Sequence, residues 1–207
     1  MRGNGKKWAI TPNRLLRREE VEALQKCAMK RARRWQHGKS SRVLEHVVLE
    51  IALGSGLRVA EIAGLACGDV SLGELSGSIL VRNGKGGKRR TVVISARLCR
   101  VLKRHIHWKN LRNQSLDHSA PLLASTQTEG QISTRALQKM FRRLQEAAGV
   151  SRHRFHDLRP TYGSFLLRAS GNDLVFVKDQ MGHADLSTTA IYLHALNAEK
   201  AVNALYS

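Results

Sequence analysis

The sequence predicts a mainly α-helical chain with one small antiparallel β-sheet or hairpin, and three observations carry that prediction. Apolar residues recur at helical spacing over much of the chain, first at Val21, Leu24 and Ala28 and then densely from Val43 to Ala52. β-branched residues gather in two short runs, 77–82 and 89–94, on either side of a glycine-rich hexapeptide. Ser95 and Ser133 each stand immediately before a further helical pattern, where a hydroxyl can cap the first turn. At 207 residues and 42% hydrophobic, the chain buries one core and is short for two full domains.

Taken in order, residues 1–17 read as a basic N-terminal arm, polar and aperiodic up to residue 12. The spacing predicts a first helix over 18–34, with Glu19 and Glu20 in its first turn. A strongly apolar second helix over 43–53 should stop at Gly54-Ser55-Gly56. A short helix over 59–65 follows, which places Arg58 at a junction between helices. The two β-branched runs then form a hairpin whose tip, Asn83-Gly84-Lys85-Gly86-Gly87-Lys88, is mobile and basic. Helices are predicted from Ser95 to about 109 and from Ser133 to about 148, joined by a long polar loop over 110–132. Helices near 161–169, 175–181 and 187–193 complete the pattern, and residues 197–207 carry a short amphipathic segment that is marginal in isolation.

Charge narrows the function. Thirty-five Lys and Arg against 16 Asp and Glu give a formal +19, a self-repulsion that a polyanion relieves. The excess is uneven: residues 1–42 carry 13 basic and 3 acidic side chains and residues 75–116 carry 11 basic and none acidic, whereas 160–207 hold 3 and 4. A surface charged only for solubility mixes its signs, so this pattern points to nucleic acid. Cys27, Cys67 and Cys99 are too few and too scattered for a disulfide framework or a CxxC metal site and read as reduced thiols. No membrane-length apolar run and no N-terminal signal pattern occurs, so a cytoplasmic, DNA-associated location is expected.

Phosphodiester transfer needs cations on the non-bridging oxygens, a nucleophile, and an acid for the leaving oxygen. Arg58 precedes Glu61 by one helical turn, so Glu61 can orient it, although an arginine at a helix start is ordinarily structural. His156 and Arg159, three apart, share a face if helical and can clamp a phosphoryl group, yet such a pair also arises by chance in basic proteins. Lys85 sits between glycines that permit close approach, and its ammonium could protonate a leaving 5′ oxygen; a solvated hairpin turn is the plainer reading. His183 precedes Tyr192 by nine residues, and a phenol there could attack phosphorus, though most tyrosines so placed are packing residues.

Together these boxes resemble the catalytic domain of the tyrosine recombinase, or phage integrase, family over about residues 18–196. Leu53-Gly54-Ser55-Gly56-Leu57-Arg58-Val59-Ala60-Glu61-Ile62 resembles its first-arginine box, and Asn83-Gly84-Lys85-Gly86-Gly87-Lys88-Arg89-Arg90 its lysine hairpin. His156-Asp157-Leu158-Arg159 resembles its HxxR box, and Met181-Gly182-His183 with Ala190-Ile191-Tyr192-Leu193-His194 its closing segment. One box is weak, but four in order at suitable gaps are specific. The resemblance implies the fold of that catalytic domain. It makes Tyr192 the nucleophile of a 3′-phosphotyrosine, Lys85 the general acid, Arg58, Arg159 and His183 the phosphate-stabilising groups, and His156 an assisting acid or base. Asp157 is then structural, receiving a nearby donor. The phosphotyrosine conserves bond energy, so no cofactor and no metal is implied.

Two departures stand out. Pro160 follows Arg159 where the family usually has histidine or another polar residue, so any contact from that side chain is lost. Only 17 residues precede the first shared helix, where most relatives carry a helical DNA-binding domain; the fimbrial-switch invertases also lack it, so two readings stand, a natural minimal recombinase, which the basic start from Met1 favours, and a catalytic fragment. The resemblance further implies double-stranded DNA as partner, a tetramer on two recombination sites, and an accessory DNA-bending protein as a further partner. Residues 197–207 would pack on a neighbouring subunit or fold back on their own. Competing readings are a decayed or accessory DNA-binding protein of the same fold, against which all six candidates stand, a type IB topoisomerase, and an RNA-structural protein, which explains the charge but not the ordered set. Integration, excision and inversion are not distinguished by the sequence.

Overall fold

The computed structural model describes residues 14–33, 41–84, 87–128, 130–183, 185–186 and 189–190. Its centre is α2 (Ser41–Ser55), apolar on nearly every side, with Leu44, Val47, Val48, Leu49, Ile51 and Ala52 all buried. A helix so apolar all round must be enclosed, and α2 packs against α1 (Arg18–Arg33), α4 (Ala96–Asn110), α5 (Thr134–Ala148) and α6 (Leu158–Ala169). The helix continues through Gly54 and Ser55, two residues beyond the expected stop. A β-carbon at Gly54 would lie 3.1 Å from Leu98 Cδ2, so the glycine serves close approach of α4 rather than termination. Ser55 Oγ donates back to Ile51 O (2.6 Å), and Gly56, at φ +61°, turns the chain.

After α3 (Val59–Ala63) and a 3-10 turn at Cys67–Asp69, the chain forms a three-stranded antiparallel sheet of β1 (Val70–Leu72), β2 (Ser76–Val81) and β3 (Arg90–Ser95), side by side in that order. β2 (Ser76–Val81) and β3 (Arg90–Ser95) are the anticipated hairpin, in register from Ser76 opposite Ser95 to Val81 opposite Arg90. β1 (Val70–Leu72) was not anticipated: three residues are too few for an alternating pattern, and its pairing with β2 makes it a strand. Ser95 Oγ accepts from Leu98 N (3.4 Å) and Ser133 Oγ from Ala136 N (3.1 Å), so both expected caps open their helices. The stretch between α4 and α5 is irregular, as expected, yet Leu122 and Leu123 are fully buried, and Pro121 and Ala124 bridge to Ala66 and Gln131.

α6 begins at Leu158, three residues before the expected start, following a 3-10 turn at Phe155–Asp157. Pro160 is tolerated because it falls in the first turn, where its missing N–H has no helical partner. α7 (Leu174–Met181), capped by Asp173 Oδ1 on Phe176 N (2.9 Å), ends at Gly182 with φ +62°. Tyr162 and Leu167 of α6 meet Val177 and Met181 of α7 in a small second cluster beside the main core. Among the described residues no helix is long and apolar enough to cross a membrane, and Cys27, Cys67 and Cys99 are free.

Candidate active site

Four chain segments converge where α2 turns into α3. Arg58 is extended at the N-cap of α3; its N–H donates to Glu61 Oε2 (2.8 Å) and its Nη1 to Glu61 Oε1 (2.8 Å). This is the orientation that the three-residue spacing predicts. Glu61 also receives a fork from β3: Arg90 Nη1 donates to Oε1 (2.9 Å) and Nη2 to Oε2 (2.8 Å). Burial alone raises the Glu61 pKa, but the bonds from Arg90 and Arg58 outweigh it and hold the carboxyl at about 2.

Arg159, in the first turn of α6, is buried. Its Nη1 donates to Gly56 O (2.5 Å) and its Nη2 to Met181 O, so one guanidinium ties the end of α2 to the end of α7. Gly56 also admits a second neighbour: a β-carbon there would lie 2.2 Å from Cδ1 of Tyr162, whose ring covers the turn. Burial pushes the Tyr162 phenol up to about 12 against the opposing charge of Arg159, which makes it a packing group at neutral pH.

His183 follows the left-handed Gly182, and its Nδ1 lies 3.0 Å from Thr189 Oγ1. Burial, reinforced by the positive charges of Arg159, Arg58 and Arg90, pushes its pKa down to about 4. His156 is exposed at the rim; desolvation and the charge of Arg159 lower its pKa, Asp157 opposes, and Arg58 and Arg14 add to the lowering. The same two guanidiniums therefore act on both imidazoles, which are neutral at pH 7 and able to donate or accept a proton. Asp157 has the structural part expected of it: its Oδ2 accepts from Arg154 N (2.8 Å). Beside His156 opens a cleft of about 590 Å³, lined on one wall by Arg135, Lys139 and Arg142 of α5 and on the other by Arg152 and Arg154. A cleft so lined concentrates polyanions.

Of the six side chains singled out by sequence, Arg58, His156, Arg159 and His183 are thus brought together, while Lys85 and Tyr192 lie outside the described residues. Arg90 was not singled out. A signal existed: it is in phase with the buried Val92 and Ile94 on β3, and a charged residue on the inner face of a strand requires a buried partner.

The chain matches the phage integrase family over residues 14–199. It is 34% identical over 153 residues to tyrosine recombinase XerC of Proteus mirabilis, covering 73% of this chain and 48% of that protein. XerC of Yersinia pestis is 36% identical over 153 residues, with the same coverage of both proteins. The chain thus spans about half the length of the curated relatives that it matches. Among solved structures, XerH site-specific recombinase bound to palindromic difH substrate, in a post-cleavage complex, aligns with a TM-score of 0.75 at 26% identity, over 93% of this chain and 53% of that one. XerA recombinase aligns at 0.73 and 26% identity, over 95% of this chain and 66% of that one. The helical architecture with its small three-stranded sheet is that of these catalytic domains.

Proposed function

The chain belongs to the phage integrase family, and from that premise we propose that it is a site-specific DNA recombinase that cuts and rejoins strands through a 3′-phosphotyrosine. The observation that carries this reading is the meeting of Arg58, Arg159, His156 and His183, from three separate stretches of chain, beside a cleft walled by cations. Fixed positive donors facing a phosphate stabilise the charge that accumulates on its oxygens as phosphorus becomes five-coordinate. Arg58 and Arg159 supply that charge, and the neutral imidazoles of His156 and His183 add hydrogen bonds and a proton relay. Tyr192 Oη gives its phenolic proton to the neutral His156 ring, the assisting base, and forms the new bond to phosphorus as the bond to the 5′ oxygen breaks; that oxygen leaves with a proton from Lys85. Attack by a 5′ hydroxyl reverses the step, so no external energy source enters. On this reading residues 18–196 form the catalytic unit and 1–17 an arm on the phosphate backbone. Double-stranded DNA is the substrate, and the working assembly is a tetramer on two sites. The arrangement of those sites sets the choice among integration, excision and inversion.

The test uses nicked duplexes cut from the DNA flanking the gene, from which a short cleaved end diffuses away. Wild-type protein should give a covalent protein–DNA band on a denaturing gel, absent with Tyr192→Phe and nearly absent with Arg159→Ala. Tight, specific binding to the same duplexes without any band would replace the recombinase reading with that of an accessory DNA-binding protein.

A further inference from the structure

We propose that Arg90 is a positioning residue for the phosphate-binding groups: through Glu61 it aims the guanidinium of Arg58, and through Gly182 it sets where His183 begins. The proposal rests on the recombinase reading above for its chemical consequence, while the placement of Arg90 stands on geometry alone.

Arg90 lies at the start of β3, opposite Val81, in the last strand pair before the turn that joins β2 to β3. Its side chain is only 12% exposed and the Glu61 carboxylate 4%. The two parallel bonds between them form the planar fork that a guanidinium makes with a carboxylate. Glu61 then offers its two oxygens to Arg58 as well, one to the backbone N–H and one to Nη1. Four donors from two arginines saturate one carboxylate, which fixes the Glu61 rotamer and, with it, the direction in which Arg58 points. Only Nη1 of the Arg58 guanidinium is held by Glu61, and its side chain is 28% exposed, so the fork keeps an edge toward the site.

Charge gives the second consequence. A lone Glu61 would cancel Arg58 and leave a neutral pair, a poor partner for a phosphate. With Arg90 on the same carboxylate the trio carries a net positive charge, and the field reaches His183, on which Arg90 acts together with Arg159 and Arg58. The fork, and not Nε, holds the side chain: Arg90 Nε is buried without an acceptor among the described residues. An unsatisfied buried donor is unfavourable, and a fold retains one where geometry elsewhere requires it.

The third contact is with the main chain before His183. A β-carbon at Gly182 would come within 2.7 Å of Arg90 Cδ and 2.8 Å of its Nε. The arginine stem therefore lies against the glycine that ends α7, where Gly182 N donates to Asp179 O (3.1 Å) and His183 N to Lys178 O (3.0 Å). β3 is docked on the same helix by Val93 N donating to Gln180 Oε1 (3.1 Å). One side chain beside the hairpin turn thus touches the supports of both the first arginine and the closing histidine.

The experiment compares Arg90→Gln and Arg90→Lys in the full chain. On the nicked duplex at saturating protein, Arg90→Gln should form the covalent complex at least tenfold more slowly with duplex affinity little changed. Arg90→Lys, which keeps the charge but not the fork, should recover part of that loss. Because Arg90 acts on Arg58 through Glu61, Glu61→Gln combined with Arg90→Gln should slow cleavage by less than the product of the two single losses. A second arm needs no cleavage: ring-proton NMR titration of free protein, with His183 assigned from His183→Gln. Removing the Arg90 charge should raise the His183 midpoint, and Arg90→Lys should raise it less. Wild-type cleavage by folded Arg90→Gln, or an unmoved His183 midpoint, overturns the proposal. If wild-type protein itself never cleaves, the functional reading falls and the titration alone judges Arg90. If Arg90→Gln does not fold, Arg90→Lys decides: full activity and an unmoved midpoint would reject the positioning role.

Discussion

Two parts of this molecule bury nitrogen bases against main-chain carbonyls, to different ends. At the far end of α4, Lys109 Nζ donates to Pro121 O (2.5 Å) and His105 Nε2 lies 2.8 Å from Leu122 O. Both are buried, and desolvation pushes His105 down to about 4, so its ring is neutral and Nε2 donates. They sit one helical turn apart on one helix and grip one loop. At the α2–α3 turn, Arg159 also spends its donors on carbonyls, but those belong to Gly56 and Met181, and two further guanidiniums share one carboxylate nearby. A cation facing a carbonyl is a structural device in both places. On the proposed recombinase reading, convergence from several segments, with the charge only partly cancelled, is what suits the second place to a phosphate.

The largest effect that sharpens this contrast is catalytic. Arg159→Ala should slow covalent complex formation by roughly 10²–10³-fold, the magnitude of losing one transition-state donor. Lys109→Met should leave cleavage by the folded protein near the parent rate while lowering urea stability by about 1–3 kcal/mol, because the buried Pro121 carbonyl keeps only the weak, long donor Cys67 Sγ (3.8 Å). Equal losses of rate in the two variants would break the distinction.

A pair of glycines gives the next test. Gly182 and Gly149 both end helices in the left-handed region, at φ +62° and +66°. Alanine costs roughly 1–2 kcal/mol of backbone strain at either place. Nothing lies within 4 Å of a β-carbon at Gly149, whereas at Gly182 it meets Arg90. Gly149→Ala should therefore lose only stability. Gly182→Ala should lose stability, as read by thermal melting, and also cleavage rate.

The smallest effect is a slope in acid. Glu61 is held at about 2 against its usual 4.5, so the folded state binds the proton less readily than the unfolded chain. Its stabilisation is complete above pH 4.5 and is lost as pH falls toward 2. His105 and His183, at about 4 against 6.5, favour the neutral ring in the fold, and their contribution declines earlier, from pH 6.5 toward 4. In urea titrations Glu61→Gln should make the lower window shallower, where Glu20, also held at about 2, still contributes, and leave the upper one; an unchanged slope below pH 4.5 would deny Glu61 its coupling to the two arginines.

Much of this was legible along the chain. The apolar run of α2 could only be a buried helix, the serines before α4 and α5 are caps in fact, and the Arg58–Glu61 contact follows from a three-residue spacing. β1 was hidden because its three residues owe their conformation to β2. The early start of α6 was hidden because Pro160 reads as a boundary when it stands within the first turn. Gly54 read as a stop because its role, contact with Leu98, belongs to another helix.

The sequence by itself determined the helical class, the positive charge, the family boxes and such local contacts as the Arg58–Glu61 pair and the two serine caps, since periodicity and capping act over a few residues of chain. Tertiary structure alone decided that Arg159 reaches across 103 residues to Gly56 and that Arg90 crosses 29 to Glu61. Those partners are chosen by which buried donors and acceptors meet when the core closes, because a charge withdrawn from water must be answered by whatever polar group the packing sets beside it.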